Sequence, residues 1–116
     1  MLERVQDGTK FFIKLGQLHD ARIELVEWRV QDREVSIRVD DLNSAFLGLS
    51  DYKGLLPARL IFTGVVRFIT EVDPAESVWR VYGIDIHPHG TDCELTLQCA
   101  PGGRIQITCA ELAVET

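Results

Sequence analysis

The sequence predicts an all-β protein, folded as an antiparallel sandwich or a small, partly open barrel of about seven to eight strands with at most short helical turns. Apolar residues recur with a period of two along the chain. Val35, Ile37 and Val39, for example, alternate with polar residues. This alternation is typical of a half-buried strand. The prolines fall between such runs, where they interrupt no strand; they are Pro57, Pro74, Pro88 and Pro101.

The alternation predicts strands over residues 21–30, 34–40, 58–63, 65–72, 77–86, 93–99 and 104–114. A further extended segment is predicted at residues 10–14, and a short helix at the first few residues. The irregular segment is 41–56, in which Asn43 can begin a single helical turn. The chain has 116 residues and no internal repeat, which indicates a single domain spanning residues 1–116.

The apolar pattern also predicts how the first two long strands pair. A hairpin with Val30 opposite Val35 places the apolar residues of both strands on one face. A slip of one residue would mix the two faces. The apolar positions change parity within residues 21–30, which predicts either a bulge near Leu25 and Val26 or a strand whose start is covered on both faces.

The last hairpin is predicted to place Cys99 opposite Ile105. Residues 65–72 and 77–86 are expected to form a middle hairpin around a turn at residues 73–76. The residues expected in the core are Trp28, Ile37, Val39, Phe62, Phe68, Leu95, Leu97, Ile105 and Ile107.

The composition excludes several classes of partner. The formal net charge is −6, and no basic patch is present to bind phosphates, so we expect no nucleic-acid partner. No apolar run approaches the ~18–20 residues that span a bilayer. Residues 1–8 lack the basic start and the apolar stretch of a signal peptide. We therefore expect no membrane association. The oligomeric state stays open, with a homodimer as one alternative.

The cysteines are Cys93, Cys99 and Cys109, an odd number without a CxxC pair. All three occupy apolar positions of predicted strands. We therefore expect free thiols that are buried and slow to react. Free thiols are typical of a reducing compartment, which predicts a cytoplasmic location.

His87 and His89 are the residues that most resemble a metal-binding pair. Side chains two residues apart in an extended segment point the same way, so both imidazoles could share an ion. The candidates for a third ligand are Asp92, Asp85 and His19. Pro88 and Gly90 nevertheless predict a turned loop in which both histidines face water, and no bound metal is expected.

Other catalytic patterns are missing from the sequence. It contains neither the Gly-x-Ser-x-Gly motif of serine hydrolases nor a glycine-rich phosphate loop. Asp40 and Asp41 are adjacent at a strand end, so they face opposite sides and are expected to be solvated. The sequence therefore indicates no catalytic residue and no cofactor.

The run Leu18-His19-Asp20-Ala21-Arg22, which leads into a strand bearing Trp28, resembles the opening of a group of small bacterial all-β proteins of unknown function. The segments 46–52 and 60–65 are similar to the middle of such chains, so the resemblance covers about the first two-thirds of the sequence. Some members of the group are called immunity proteins, which neutralise partner toxins by binding them. The resemblance implies no catalytic activity and marks His19 and Asp20 as positions of interest.

The sequence favours a non-catalytic binding or interaction module, for which the acidic charge would suit a basic protein partner. One alternative is a metal-binding protein or metal-dependent enzyme that uses His87 and His89. Another is a small barrel that carries an apolar ligand among Trp28, Phe68, Trp79 and Tyr82. The candidate binding residues are His19, Asp20, His87, His89 and Asp92.

Overall fold

Nine antiparallel strands form one open sheet in the computed structural model, which describes residues 1–73 and 75–116. The strands are β1 (Leu2–Val5), β2 (Arg22–Arg29), β3 (Glu34–Val39), β4 (Ala58–Thr63), β5 (Arg67–Glu71), β6 (Trp79–His89), β7 (Asp92–Ala100), β8 (Arg104–Cys109) and β9 (Glu111–Glu115). One α-helix, α1 (Gly8–Lys14), and two 3-10 turns, at Gly16–Leu18 and Ser44–Phe46, complete the described part of the chain. The prediction of a mostly β antiparallel fold is confirmed.

The strand order is β1-β9-β4-β3-β2-β6-β7-β8-β5, and β1 and β5 are the two edges. The sheet is therefore open rather than closed into a barrel. β2 and β6 share only two residue pairs, Arg22 with Arg80 and Ile23 with Trp79. This narrow junction divides the sheet into a first half, β1-β9-β4-β3-β2, and a second half, β6-β7-β8-β5. The chain passes from the second half to the first at Ala110, between β8 and β9.

Side chains of both halves form one buried core. The first half contributes Val35, Ile37, Val39, Leu60, Phe62, Leu112 and Val114, and the second contributes Val81, Ile84, Leu95, Leu97, Ile105, Ile107 and Cys109. Seven of the nine residues predicted for the core are fully buried, and Phe68 is partly buried against it. Trp28 was expected in the core but is 39% exposed. It lies near the end of β2, where its ring rests against Phe68 at 5.8 Å between centroids.

The predicted first and last hairpins both form, as β2–β3 and β7–β8, but the register of each differs from the predicted register by two residues. Trp28 lies opposite Val35, and Leu97 lies opposite Ile105. A displacement of two keeps every side chain on its predicted face, so the apolar pattern alone does not distinguish the two registers. The turns decide between them, because Arg33 and Gly103 adopt positive φ angles of 51° and 101°. The predicted bulge in β2 is confirmed, between Ile23 and Leu25.

The predicted middle hairpin is wrong. β5 pairs with β8, with Phe68 opposite Ile107, and β6 pairs with β7. β5 pairs with β8 along the side that faces away from β7, and Phe68 of β5 packs against the core. Of the predicted turn at residues 73–76, Pro74 lies outside the described residues. Pro88, expected between strands, lies within β6 opposite Cys93.

The N-terminal segments are the reverse of those predicted. The first residues form β1 rather than a helix, and residues 10–14 belong to α1 rather than to a strand. Asp7 caps this helix, because its side chain accepts a hydrogen bond from the Lys10 backbone N–H at 3.1 Å. The helix packs on the sheet through Phe12, which is 1% exposed.

The predicted turn after Asn43 is confirmed as a 3-10 turn, although the Asn43 side chain donates to the Gly54 carbonyl oxygen instead of capping it. The predicted final strand is interrupted at Ala110, where it changes from one half of the sheet to the other. Across residues 1–73 and 75–116, no helix is long and apolar enough to cross a membrane.

Candidate functional site

The β6–β7 hairpin carries His87 and His89. We expected a turned loop here, but β6 continues in a regular ladder through His89, with His87 opposite Glu94 and His89 opposite Asp92. The two imidazoles therefore project from the same face of the strand, and both are exposed. His89 Nδ1 lies 3.7 Å from Glu94 Oε2.

This face does not assemble a ligand set for a metal. Glu94 is already engaged, because its Oε1 accepts a hydrogen bond from Gln106 Nε2 at 2.6 Å. Asp85, on the same face, accepts one from Gln98 Nε2 at 3.4 Å. Among the described residues, no group of three or more His, Cys, Asp or Glu side chains is placed to hold a metal ion.

His19 and Asp20 lie elsewhere, at the start of β2. His19 Nδ1 donates to the Tyr82 carbonyl oxygen at 2.9 Å, and the two rings meet edge to face. The Asp20 carbonyl oxygen accepts from Arg80 Nη1, and its backbone N–H donates to the Val81 carbonyl oxygen. These contacts fix the chain where it enters the sheet. Tyr82 and His87 are separated by roughly 16 Å of extended strand, so the five predicted site residues do not form one site.

The residues predicted to surround an apolar ligand are dispersed as well. Trp28 contacts Phe68 at one rim of the sheet, whereas Tyr82 is 64% exposed beside His19. Trp79 is half-buried opposite Ile23 at the junction of the two halves. These aromatic side chains do not enclose a shared interior.

A polar groove of about 340 Å³ lies where the end of the β6–β7 hairpin meets the N-terminus of α1. We call it the hairpin groove; it is lined by Arg4, Val5, Gln6, Asp7, Gly8, Thr9, Ile86, His87, Pro88, Thr91, Asp92, Cys93, Ala110, Glu111 and Leu112. It unites His87 and Asp92, two of the predicted residues, with Cys93. The helix approaches the hairpin closely, since a Cβ on Gly8 would lie 2.5 Å from Ile86 Cδ1.

The hairpin groove is acidic. Its carboxylates belong to Asp7, Asp92 and Glu111, and Arg4 is the one permanent cation among the described lining residues. Arg4 Nη2 lies 3.3 Å from Glu111 Oε1, and both side chains are at least half exposed. Acidic side chains outnumber this guanidinium among the lining residues, so the lining carries a net negative formal charge.

The groove also contains the thiol of Cys93, whose burial was predicted wrongly. Cys93 is only partly buried, whereas Cys99 and Cys109 are buried as predicted, and all three thiols are free. Cys93 Sγ lies 3.8 Å from Cys109 Sγ on the neighbouring strand. A hydrogen bond from Cys109 lowers the pKa of Cys93 to about 7, against the opposing effects of burial and of the Asp92 carboxylate. In the predicted register Leu95 lies opposite Cys109, so the contact between Cys93 and Cys109 was not expected.

Asp41 is a second polar residue whose role was predicted wrongly. It was expected to be solvated at a strand end, but its side chain is buried, with 4% exposure. Its carboxylate accepts hydrogen bonds from the backbone N–H groups of Asn43 and Leu56 and from the Tyr52 hydroxyl. The Tyr52 bond raises the pKa of the phenol. The cluster of turn-forming residues after Asp41 was the available signal for this role.

The fold and the groove together define a small, mostly β protein with one open antiparallel sheet and an acidic groove at one end. The fold is similar to the crystal structure of an uncharacterized protein from Neisseria gonorrhoeae, with a TM-score of 0.55, 8% sequence identity, and coverage of 100% of this chain and 98% of that chain. At this identity the similarity shows the fold alone. No protein-family model matches the sequence, and no curated protein matches it.

Proposed function

We propose that the protein is a non-catalytic binding module that holds a lysine- or arginine-rich segment of a protein partner in the hairpin groove. The observation that carries this proposal is the charge of the groove, whose lining includes the acidic residues Asp7, Asp92 and Glu111 but a single arginine. Complementary charge steers encounter and favours such a partner over neutral or acidic ones.

The charge of the surrounding surface has the same sign. Asp85 and Glu94 lie on the outer face of the β6–β7 hairpin, in register with Thr96 and His87. The whole chain carries a formal net charge of −6. A basic segment approaching the groove therefore meets a negative potential both from the lining and from the adjoining strand face.

The sequence resemblance supports the same class of activity. Some of the small bacterial proteins that resemble the run from Leu18 to Arg22 are called immunity proteins, and these act by binding a toxin rather than by catalysis. A toxin with a basic surface is accordingly one partner that fits the groove. We place the protein in the cytoplasm, where its three free thiols would stay reduced.

Binding of a fluorescently labelled ten-residue oligolysine peptide, followed by anisotropy at low and moderate salt, tests the proposal. The double variant Asp92→Asn, Glu111→Gln should bind about threefold to tenfold more weakly, because two groove carboxylates are lost and Arg4 loses its partner. Conversely, Arg4→Gln should strengthen binding. Added salt should weaken binding to the parent protein.

The matched control is the double variant Asp32→Asn, Asp51→Asn, which removes the same charge from exposed positions outside the groove. It should bind the peptide nearly as well as the parent. Equal weakening of both double variants would mean that only the overall charge matters, and the groove would then not be the binding site.

A further inference from the structure

Cys93 and Cys109 form a directly opposed pair across β7 and β8. Their sulfur atoms are 3.8 Å apart. Opposed residues of an antiparallel ladder have Cα atoms about 4.5–5.5 Å apart. A disulfide accepts Cα separations of about 4.4–6.8 Å, so the backbone already lies within range and side-chain rotation can close the remaining distance.

The two thiols differ in access. Cys93 is partly exposed and lines the hairpin groove, whereas Cys109 is fully buried. Cys99 is buried on the same strand as Cys93, six residues away and beyond reach of either thiol. The chain thus contains an accessible thiol, a buried partner in contact with it, and a third cysteine that serves as an internal reference.

We propose that Cys93 and Cys109 are a thiol–disulfide exchange site, in which Cys93 attacks a low-molecular-weight disulfide entering the hairpin groove and Cys109 then resolves the mixed disulfide.

The lowered pKa of Cys93 supports its role as the attacking group. The hydrogen bond from Cys109 lowers the pKa of Cys93 to about 7, so a larger fraction of Cys93 side chains is thiolate at neutral pH than for an ordinary cysteine. Among the groups in the groove, the Asp92 carboxylate opposes this shift. The other titratable or charged side chains there are Arg4, Asp7, His87 and Glu111.

The first step forms a bond between Cys93 Sγ and one sulfur of the disulfide, and the second sulfur leaves as a thiolate that takes up a proton. Cys109 then loses its proton to solvent and attacks Cys93 Sγ, which releases the second small thiol. In total, two protein thiols are oxidised to one disulfide, and one small disulfide is reduced to two thiols.

Cys109 becomes a better nucleophile only after the first step. Its hydrogen bond to Cys93, together with burial, raises the pKa of Cys109 in the reduced protein. Once Cys93 carries the mixed disulfide, the negative charge beside Cys109 is gone and this cause of the raised pKa disappears. The order of events, Cys93 first and Cys109 second, follows from this dependence.

The test incubates the reduced, full-length protein at pH 7 with cystamine, a small cationic disulfide that suits the acidic groove, quenches with acid, alkylates the remaining thiols and measures the intact mass. We expect a product lighter by two hydrogen atoms that retains one alkylatable thiol, and peptide mapping should locate the disulfide between Cys93 and Cys109. Cys99→Ser should react like the parent, with no thiol left to alkylate.

Two variants of Cys109 separate its two roles. Cys109→Ser keeps a hydrogen-bond donor beside Cys93 but cannot resolve the mixed disulfide, so it should accumulate that adduct at the parent's initial rate. Cys109→Ala lacks the donor, so its first step should be slower by about threefold or more at pH 7, because the loss of thiolate outweighs the gain in intrinsic nucleophilicity. Cys93→Ser should form neither product.

Three results would overturn the proposal. These are a parent protein that stops at the mixed disulfide, a Cys109→Ser variant that forms no adduct, and modification of Cys99 as fast as Cys93. The last result would also show that the thiols react through unfolding. None of these outcomes depends on whether the groove binds a basic segment.

Discussion

Asp41 is the residue on which the conformation of the 41–56 loop most depends. Its Oδ1 accepts the backbone N–H groups of Asn43 at 2.9 Å and Leu56 at 3.0 Å, and its Oδ2 accepts the Tyr52 hydroxyl at 2.8 Å. The carboxylate thus connects both ends of the loop to its centre. Without it, the two backbone donors would lose their acceptor in a buried site.

Asp41→Ala should lower the free energy of unfolding by about 2–4 kcal/mol in a urea titration, because buried donors are left unsatisfied. Asp41→Asn should cost less, since its amide oxygen can still accept both backbone N–H groups. Asp51→Asn, at an exposed position of the same loop, is the control and should stay within about 0.5 kcal/mol of the parent. An Asp41→Ala variant as stable as the parent would refute this role.

The phenol of Tyr52 offers an independent measurement of the same contact. Its hydrogen bond to Asp41 raises its pKa, because the neutral phenol donates and the phenolate would face a carboxylate. Asp41→Asn should therefore lower the pKa of Tyr52 towards that of an ordinary tyrosine, as recorded by ultraviolet absorbance. An unchanged titration would show that the contact does not form in solution.

The sequence predicted the wrong partner for β5, because β5 was expected to pair with the next strand along the chain. Its observed pairing with β8 can be tested by a substitution at Gly103. Gly103 adopts a φ of +101° in the β7–β8 turn, and a Cβ there would collide with the Glu71 carbonyl oxygen and lie 3.1 Å from Val72 Cα. The collision exists only because the end of β5 lies beside this turn. Gly102, its neighbour in the turn, has open space around it.

Gly103→Ala should destabilise the protein by about 2 kcal/mol or more, because a positive φ and a backbone collision act together. Gly102→Ala should change the stability by about 0.5 kcal/mol or less. Thermal unfolding monitored by circular dichroism measures both. Similar melting temperatures for the two variants would mean that β5 does not lie against this turn.

At the scale of elements, the alternating pattern located the strands but left their partners open. The predicted strand at residues 58–63 has the same bounds as β4, because its local run of apolar residues already identifies a buried strand. The registers of the β2–β3 and β7–β8 hairpins were each displaced by two residues. A period of two is unchanged by such a displacement, so only the turn geometry at Arg33 and Gly103 could select the register.

The molecule as a whole depends on a core shared by both halves of the sheet. Phe62 in the first half and Leu97 in the second belong to the same buried cluster. The junction through β2 and β6 is narrow, so this core rather than the ladder holds the halves together. We therefore expect the two halves to unfold in one transition.

Leu97→Ala should cost on the order of 2–5 kcal/mol, because Leu97 is fully buried and its truncation leaves a cavity. The two tryptophans allow each half to be followed separately, with Trp79→Phe leaving Trp28 in β2 and Trp28→Phe leaving Trp79 in β6. In both backgrounds Leu97→Ala should lower the denaturation midpoint equally. Leu47→Ala, at a position that is 69% exposed, is the control. Different midpoints for the two reporters would contradict a shared core.

The candidate site could be predicted from the sequence only in part. His87 and Asp92 belong to a single short segment of the sequence, and both line the hairpin groove. His19 and Asp20 belong to a different segment, and the fold places them just before the start of β2. Cys93 cannot be identified from the sequence, because its partner Cys109 lies on another strand and their contact depends on a register that the alternating pattern does not determine.

The sequence by itself determined the class of fold and the composition of the core, because each half-buried strand must alternate apolar and polar residues whatever its neighbours are. The tertiary structure decided what depends on two or more strands at once: the β5–β8 pairing, the transfer of the chain between halves at Ala110, and the contact between Cys93 and Cys109. It also decided that α1 lies against the hairpin at Gly8 and so creates the acidic groove. These features arise from packing between segments distant in the chain, on which local periodicity carries no information.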